Sequence, residues 1–377
     1  MAKAGANYGM TLFWALILSA IFTYVLMVAY GQVTLVTGHT ALYNIRKNFK
    51  IGSYLAIYIL VALVMGELLA IMGVMGIVTD LIIEGIRLMD WGNADPFWIT
   101  LIIVIGLYIL LWYGRYKIFE KILTFFVILM GLCFILVFFL VKPDFNAIIM
   151  GMVPRIPQQD GALQLIAAMA GTTCSAAVFV VRSTVVAEKG WTINHLKNEK
   201  KDAFVSASMM LVLSGIIMAV GAGTLHVMGM SLNNTVEMIQ LFEPLGGKIA
   251  AFVLILGIVG AGLSTVFPII LIAPWLISDY TGRSRDIRSP LFRILGLIGL
   301  IFSFGMLLIQ EKPPAMMIFS QAFQAMILPA VAIPITLLLL NKRLMGDHKI
   351  NVFRLSMLIG VIIFSLITAY FAIIDII

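Results

Sequence analysis

Charge is scarce in this sequence. Only 11% of its 377 residues are Asp, Glu, Lys or Arg, against about 25% in an average soluble domain, so a water-soluble globular fold is excluded. Cysteine is scarcer still: Cys133 and Cys174 are the only two, both inside apolar stretches, which rules out a disulfide framework and a CxxC metal site. The apolar stretches do not alternate in polarity, so they are not the strands of a membrane β-barrel. No histidine falls at the centre of an apolar run. His39, His195, His226 and His348 lie at run ends or between runs, which argues against a histidine relay through a bilayer and reads as four solvated side chains. Neither a pair of acids nor a nucleophile beside a base is found, and an enzyme is not expected.

Apolar length is what the chain has. Hydrophobic residues make up 62% of it and its mean hydropathy is +1.08. Runs near the roughly 20 residues that a helical span needs recur from end to end. We read an all-α integral membrane protein, one polytopic domain over residues 1–377, with ten spans at about 10–36, 52–79, 97–114, 122–141, 162–182, 204–226, 249–278, 291–309, 315–340 and 353–375. The net charge of +7 then belongs to basic loops, not to a nucleic-acid surface. Nineteen of the 25 Lys and Arg residues fall on the side of the 37–50, 183–203, 279–290 and 341–352 loops, so that side is cytoplasmic and both termini are outside. Residues 1–9 contain no signal peptide. The charge count therefore predicts a further span upstream of Met1, carrying the true N-terminus on the cytoplasmic side.

Polar residues at bilayer depth mark the candidate site. Glu67 sits in mid-span, where a carboxylate costs about 2.5–3.5 kcal/mol to insert, so it faces the bundle interior. It reads either as a protonated carboxyl bonded to a neighbouring helix or as part of a proton or cation pathway. In the fifth span, Gly171-Thr172-Thr173-Cys174-Ser175 interrupts two apolar stretches. This run is either a close helix contact through small residues or an unwound segment, with Gly171 and Thr173 in it, whose carbonyls hold a substrate at the midplane. In the ninth span Gln321 and Gln324 share a face, as neutral oxygen ligands or as interhelical glue. Ser264, Thr265, Pro268 and Pro274 read as a kink in the seventh. The 23 methionines, spread through nearly every span, read as core filler.

Repeat logic points the same way as charge. Many secondary transporters consist of two inverted repeats, each with a broken helix at the same relative position. If the fifth span opens the second repeat, the first repeat lacks its opening helix, which again lies before Met1.

Several motifs resemble the Nramp family of divalent-metal transporters: Ala4-Gly5-Ala6-Asn7-Tyr8-Gly9 running into Leu12-Phe13-Trp14, Val36-Thr37-Gly38, Lys142-Pro143-Asp144, Val153-Pro154, Ser320-Gln321 with Leu328-Pro329, and Leu344-Met345-Gly346. The resemblance implies a LeuT-like inverted-repeat bundle in the plasma membrane, moving a divalent metal ion by alternating access, with protons as a co-substrate in the coupled form. The ion would be substrate, and no bound cofactor or obligate protein partner is implied. The family binds metal between an Asp-Pro-Gly-Asn stretch, which would precede Met1, and a Met-Pro-His stretch, which falls here on Ser175-Ala176-Ala177. The family's second His is matched by Arg182, and its third-helix acids by Glu67 and Ala70. This pattern is similar to the divergent Nramp-related branch that carries Mg²⁺. It implies oxygen ligands: the Thr172 carbonyl, the Ser175 hydroxyl and the Gln321 amide, with Cys174 a rival if the register slips by one. Glu67 and Arg182 would line the proton or cation pathway. The residues leave open two alternatives, a carrier of an organic solute such as an amino acid and a truncated, non-transporting membrane protein.

Overall fold

The computed structural model describes all residues except 114–115, 241–242, 284, 310 and 375–377. Among the described residues ten helices are long and apolar enough to cross a membrane: Phe13–Thr37, Gly52–Leu88, Pro96–Tyr113, Leu123–Val141, Ala162–Glu188, Ile193–His226, Ala251–Thr281, Pro290–Leu308, Pro313–Leu340 and Val352–Ile374. These are the ten spans expected, and they are numbered here in that order. The second is longer than its apolar run. Its helix reaches Leu88 over 37 residues, about 55 Å at 1.5 Å per residue, because Asp80, Glu84 and Arg87 mark the membrane edge without breaking the helix. It ends where Asp90 (φ 58°) and Gly92 (φ 109°) turn the chain. The seventh stays helical through Pro268 and Pro274.

Burial separates an inner group from an outer one. In the fifth span 78% of the most apolar window is buried, and in the fourth 12%; the outer face of the latter is where lipid would lie. The first, fifth and ninth spans form the centre, and Leu26, Tyr30, Phe179, Leu328 and Val331 sit fully enclosed among them. Hydrogen bonds lock the centre without charge. The Tyr30 hydroxyl donates to the Val331 carbonyl at 3.0 Å, and Thr23 Oγ1 donates to the Thr173 carbonyl at 2.8 Å. Two glycines allow the backbones to meet. A Cβ on Gly171 would overlap the Gln321 carbonyl oxygen, and one on Gly73 would lie 2.9 Å from the Met317 amide nitrogen, so the ninth span rests directly on the fifth and on the second.

The ends are pinned by polar contacts. The short helix Ala2–Tyr8 docks on the end of the sixth span, where His226 Nδ1 lies 3.0 Å from the Ala6 carbonyl oxygen. On the basic side, Thr40 Oγ1 donates to Asp279 at 2.7 Å, and Arg285 joins Asp279 and Glu188 at 3.0 and 3.1 Å.

Candidate functional site

The fifth span is two helices, Ala162–Thr173 and Ala176–Glu188, and the break falls at Cys174–Ser175. A helix end leaves its last carbonyls and the next helix its first amides without helical partners, so the break sets backbone dipoles of both signs at mid-span. Its position corrects the sequence reading at two residues. Gly171 and Thr173 were expected in the unwound segment, but both remain helical. Gly171 is the contact point with Gln321. The Thr173 hydroxyl donates back to the Met169 carbonyl at 2.6 Å, which keeps the last turn closed.

A cavity of about 560 Å³ opens beside the break. Into its wall come Glu67 from the second span, Thr172, Ser175 and Arg182 from the fifth, Ser264 and Thr265 from the seventh, and Gln321 and Gln324 from the ninth. With Met27 of the first span, five spans thus converge on one space. From Ser175 the wall follows the fifth span through Val178 and Val181 to Val185, and the seventh span to Trp275, toward the end that carries the basic loops. Thr172 is exposed to this space, while Ser175, Glu67 and Gln324 are buried at its edge.

The buried three form a chain. Ser175 Oγ donates to Gln324 Oε1 at 3.0 Å, and Gln324 Nε2 donates to Glu67 Oε1 at 2.7 Å. The amide thereby satisfies an acceptor and a donor that would otherwise be stranded, at a cost of about 1–3 kcal/mol each. Of the two readings open for Glu67, the interhelical bond is present, and the carboxyl also lines the cavity. Gln324, read with Gln321 as an oxygen ligand or as interhelical glue, makes the interhelical bonds. The signal was there, since it stands three residues after Gln321, but spacing alone does not tell which amide of the pair reaches an acid 257 positions away.

Cys174 does not join this group. It is fully buried, absent from the cavity wall and packed within the cluster of first, fifth and ninth spans. Arg182 lines the cavity with its charge already engaged. Its guanidinium grips Glu199 through Nε at 2.9 Å and NH2 at 2.7 Å, and Asp202 at 2.6 Å. Glu199 is completely buried. One cation between two carboxylates leaves the cluster with a formal charge of −1, so this wall does not repel a cation. Two methionines also reach the cavity, Met27 and Met317, although methionine had been read as filler. Among the described residues no three His, Cys, Asp or Glu side chains gather closely enough to hold a metal. A metal here would be met by hydroxyl, amide, carbonyl and single-carboxyl oxygens, with the two thioethers on the same wall.

Comparison with known proteins follows the same lines. A family model described as natural resistance-associated macrophage protein-like (Nramp) matches residues 1–375. The divalent metal cation transporter MntH of Caldanaerobacter subterraneus is 22% identical over 67% of this chain and 60% of its own length. That of a Nostoc species is 23% identical over 66% and 59%, so the matched stretch spans about 60% of these two relatives. The MntH of Pectobacterium carotovorum is 23% identical over 97% of this chain and 87% of its own. Among solved structures, the Eremococcus coleocola manganese transporter superposes with a TM-score of 0.74 at 14% identity, covering 100% of this chain and 81% of that one. The nucleobase-cation symporter Mhp1 gives 0.59 at 14% identity, covering 100% and 88%. The shared fold is the LeuT-like helical bundle that the family resemblance implied.

Proposed function

The chain belongs to the Nramp family, and from that premise we propose that it carries a divalent metal cation across the membrane by alternating access, with the cavity beside the broken fifth span as its binding site. One observation carries the reading. The hydrogen-bonded chain Ser175–Gln324–Glu67 ties the broken helix to the one mid-span carboxyl among the described residues, and all three residues line a cavity in the bundle centre. The three MntH proteins and the manganese transporter that this chain resembles are named for divalent metal or manganese, which supports the class of cargo.

The donor set supports a hydrated ion. Hard divalent cations prefer oxygen ligands, and Mg²⁺ in particular sheds its water reluctantly. A space of about 560 Å³ is far larger than a bare ion, so the cation would keep waters on the side facing the cavity and exchange some for Thr172, Ser175 and Gln321. Mn²⁺ and Mg²⁺ both fit this chemistry. Met27 and Met317 lie within the same wall, and thioethers there would favour Mn²⁺ over Mg²⁺. Glu67 supplies the charge, and its loss of a proton as the ion binds would couple transport to pH. Arg182, held by Glu199 and Asp202, serves as a fixed brace at the cytoplasmic end of the path.

The test is uptake by the purified full chain in liposomes. An inward Mn²⁺ gradient is expected to quench a trapped metal-sensitive dye, with excess Mg²⁺ competing. Absence of movement of either ion would overturn the proposal. A second reading draws on the cavity itself. Its volume lies in the range of small-molecule sites, about 300–1,000 Å³, and Val178, Val181, Ile269, Ile272 and Trp275 make much of the wall apolar, which suits an organic solute. Competition by amino acids, without competition by metals, would favour that reading.

A further inference from the structure

A second cavity, of about 190 Å³, lies between the first, ninth and tenth spans and the start of the sixth. It is separate from the transport cavity and shares no wall residue with it. Its lower part is apolar, formed by Tyr24, Val25, Val28 and Met357. Its mouth carries Lys200 and Arg354, the only charged residues in the wall. The charge distribution places this mouth at the cytoplasmic interface, because Lys200 and Arg354 lie near the N-terminal ends of the sixth and tenth spans, the ends joined to the basic 183–203 and 341–352 loops.

Two cations here face each other without an anion. Their charges repel. The acids nearest Lys200 in sequence, Glu199 and Asp202, are both engaged by Arg182. Arg354 is held by a neutral group: its NH1 donates to Gln32 Oε1 at 2.9 Å, while Gln32 Nε2 donates to the His348 carbonyl. Among the described residues neither Lys200 nor Arg354 has a carboxylate partner. The guanidinium is thus oriented without being neutralised, beside a half-buried ammonium. Below them, eight residues separate Gln32 from Tyr24 along the first span, about 12 Å of helix, which gives the slot the length of the first part of an acyl chain. Val352 and Phe353 stand exposed at the rim, where apolar side chains enter the lipid interface.

We propose that this cavity binds an anionic phospholipid of the cytoplasmic leaflet. Its phosphate sits between Lys200 and Arg354, and its glycerol and first acyl carbons lie against Val25, Val28 and Met357. A basic pocket between spans on the cytoplasmic side is the form such recognition takes. The lipid would supply the missing countercharge and join the sixth and tenth spans, which the protein's own side chains leave electrostatically opposed at this point.

The test uses the purified full chain in zwitterionic detergent, titrated with short-chain phosphatidylglycerol, phosphatidylcholine or inorganic phosphate while thermal unfolding is followed. Phosphatidylglycerol is expected to raise Tm in a saturable way, and the other two are not. K200Q/R354Q is expected to weaken the apparent affinity about thirty-fold, at roughly one decade or less per basic residue near an anionic surface, and K200Q alone about five-fold. K47Q/K349Q, which removes basic residues outside the pocket, is expected to leave it unchanged. Equal stabilisation by phosphatidylcholine or by phosphate overturns the proposal, as does equal loss in the control pair. If the double variant fails to fold, K200Q alone decides: parental affinity in it overturns the assignment.

Discussion

Replacing Gln324 tests the centre of the site. Q324A removes both ends of an amide that bridges Ser175 Oγ and Glu67 Oε1 at 3.0 and 2.7 Å. The carboxyl is 7% exposed and the hydroxyl-bearing residue 8%, so water replaces the lost partners poorly. The Glu67 bond, made to an ionisable group, is worth about 1.5–3 kcal/mol and the Ser175 bond about 0.5–1.5, so the loss is about 2–4.5 kcal/mol. At the usual unfolding entropy per residue this lowers Tm by about 3–6 °C for a chain of this length. E67Q behaves differently. It keeps an acceptor oxygen for Gln324 Nε2, so it costs less than about 1 kcal/mol, yet it removes the one mid-span charge and stops uptake of the divalent cation. The assay is paired: thermal unfolding in detergent and metal uptake in liposomes on the same preparations. If Q324A unfolds at the parental temperature, or if E67Q is the less stable of the two, the bridging role is wrong.

Three other outcomes follow from the geometry. R182L strands the fully buried Glu199 and is expected to cost about 3–5 kcal/mol, read as loss of the monodisperse peak on size exclusion; R182K, which keeps the charge but not the two-pronged grip, falls between. G171V forces the fifth and ninth spans apart at the Gln321 carbonyl and is expected to yield little folded protein, whereas G92V, at a position with open space, yields near-parental amounts with a modest loss from the φ of 109°. In a C133S background Cys174 is expected to resist a soluble maleimide until the protein is denatured, since it is fully enclosed; rapid labelling of the native protein would show that the break is open on its other face.

The spans were legible because hydrophobic length in a bilayer leaves few alternatives, and all ten appear where apolar runs stand. Their ends were not. Asp80, Glu84 and Arg87 look like a loop by polarity, yet a helix continues past the membrane until backbone geometry stops it at Asp90 and Gly92. The break in the fifth span was legible as a cluster of small and hydroxylated residues, but not its register. Gly171 through Ser175 all permit unwinding, and the choice was made by contacts from elsewhere: the ninth span pressing on Gly171 and Thr23 taking the Thr173 carbonyl. Glu67, Ser175 and Gln321 were singled out from bilayer depth and family pattern, and all three line the cavity. Gln324 and the Arg182 clamp required the third dimension, since their partners lie on other helices. The thioethers of Met27 and Met317 had no sequence signal above the 23 methionines around them.

The account stands or falls on whether the ion passes beside the break. Thr172 is exposed to the cavity, so T172C in a C133S background puts a single reactive thiol on the proposed path. Its Mn²⁺ uptake in liposomes would be measured before and after reaction with a bulky thiol reagent. The account predicts that modification abolishes uptake and that saturating Mn²⁺ slows the labelling. Full labelling with undiminished uptake would contradict it.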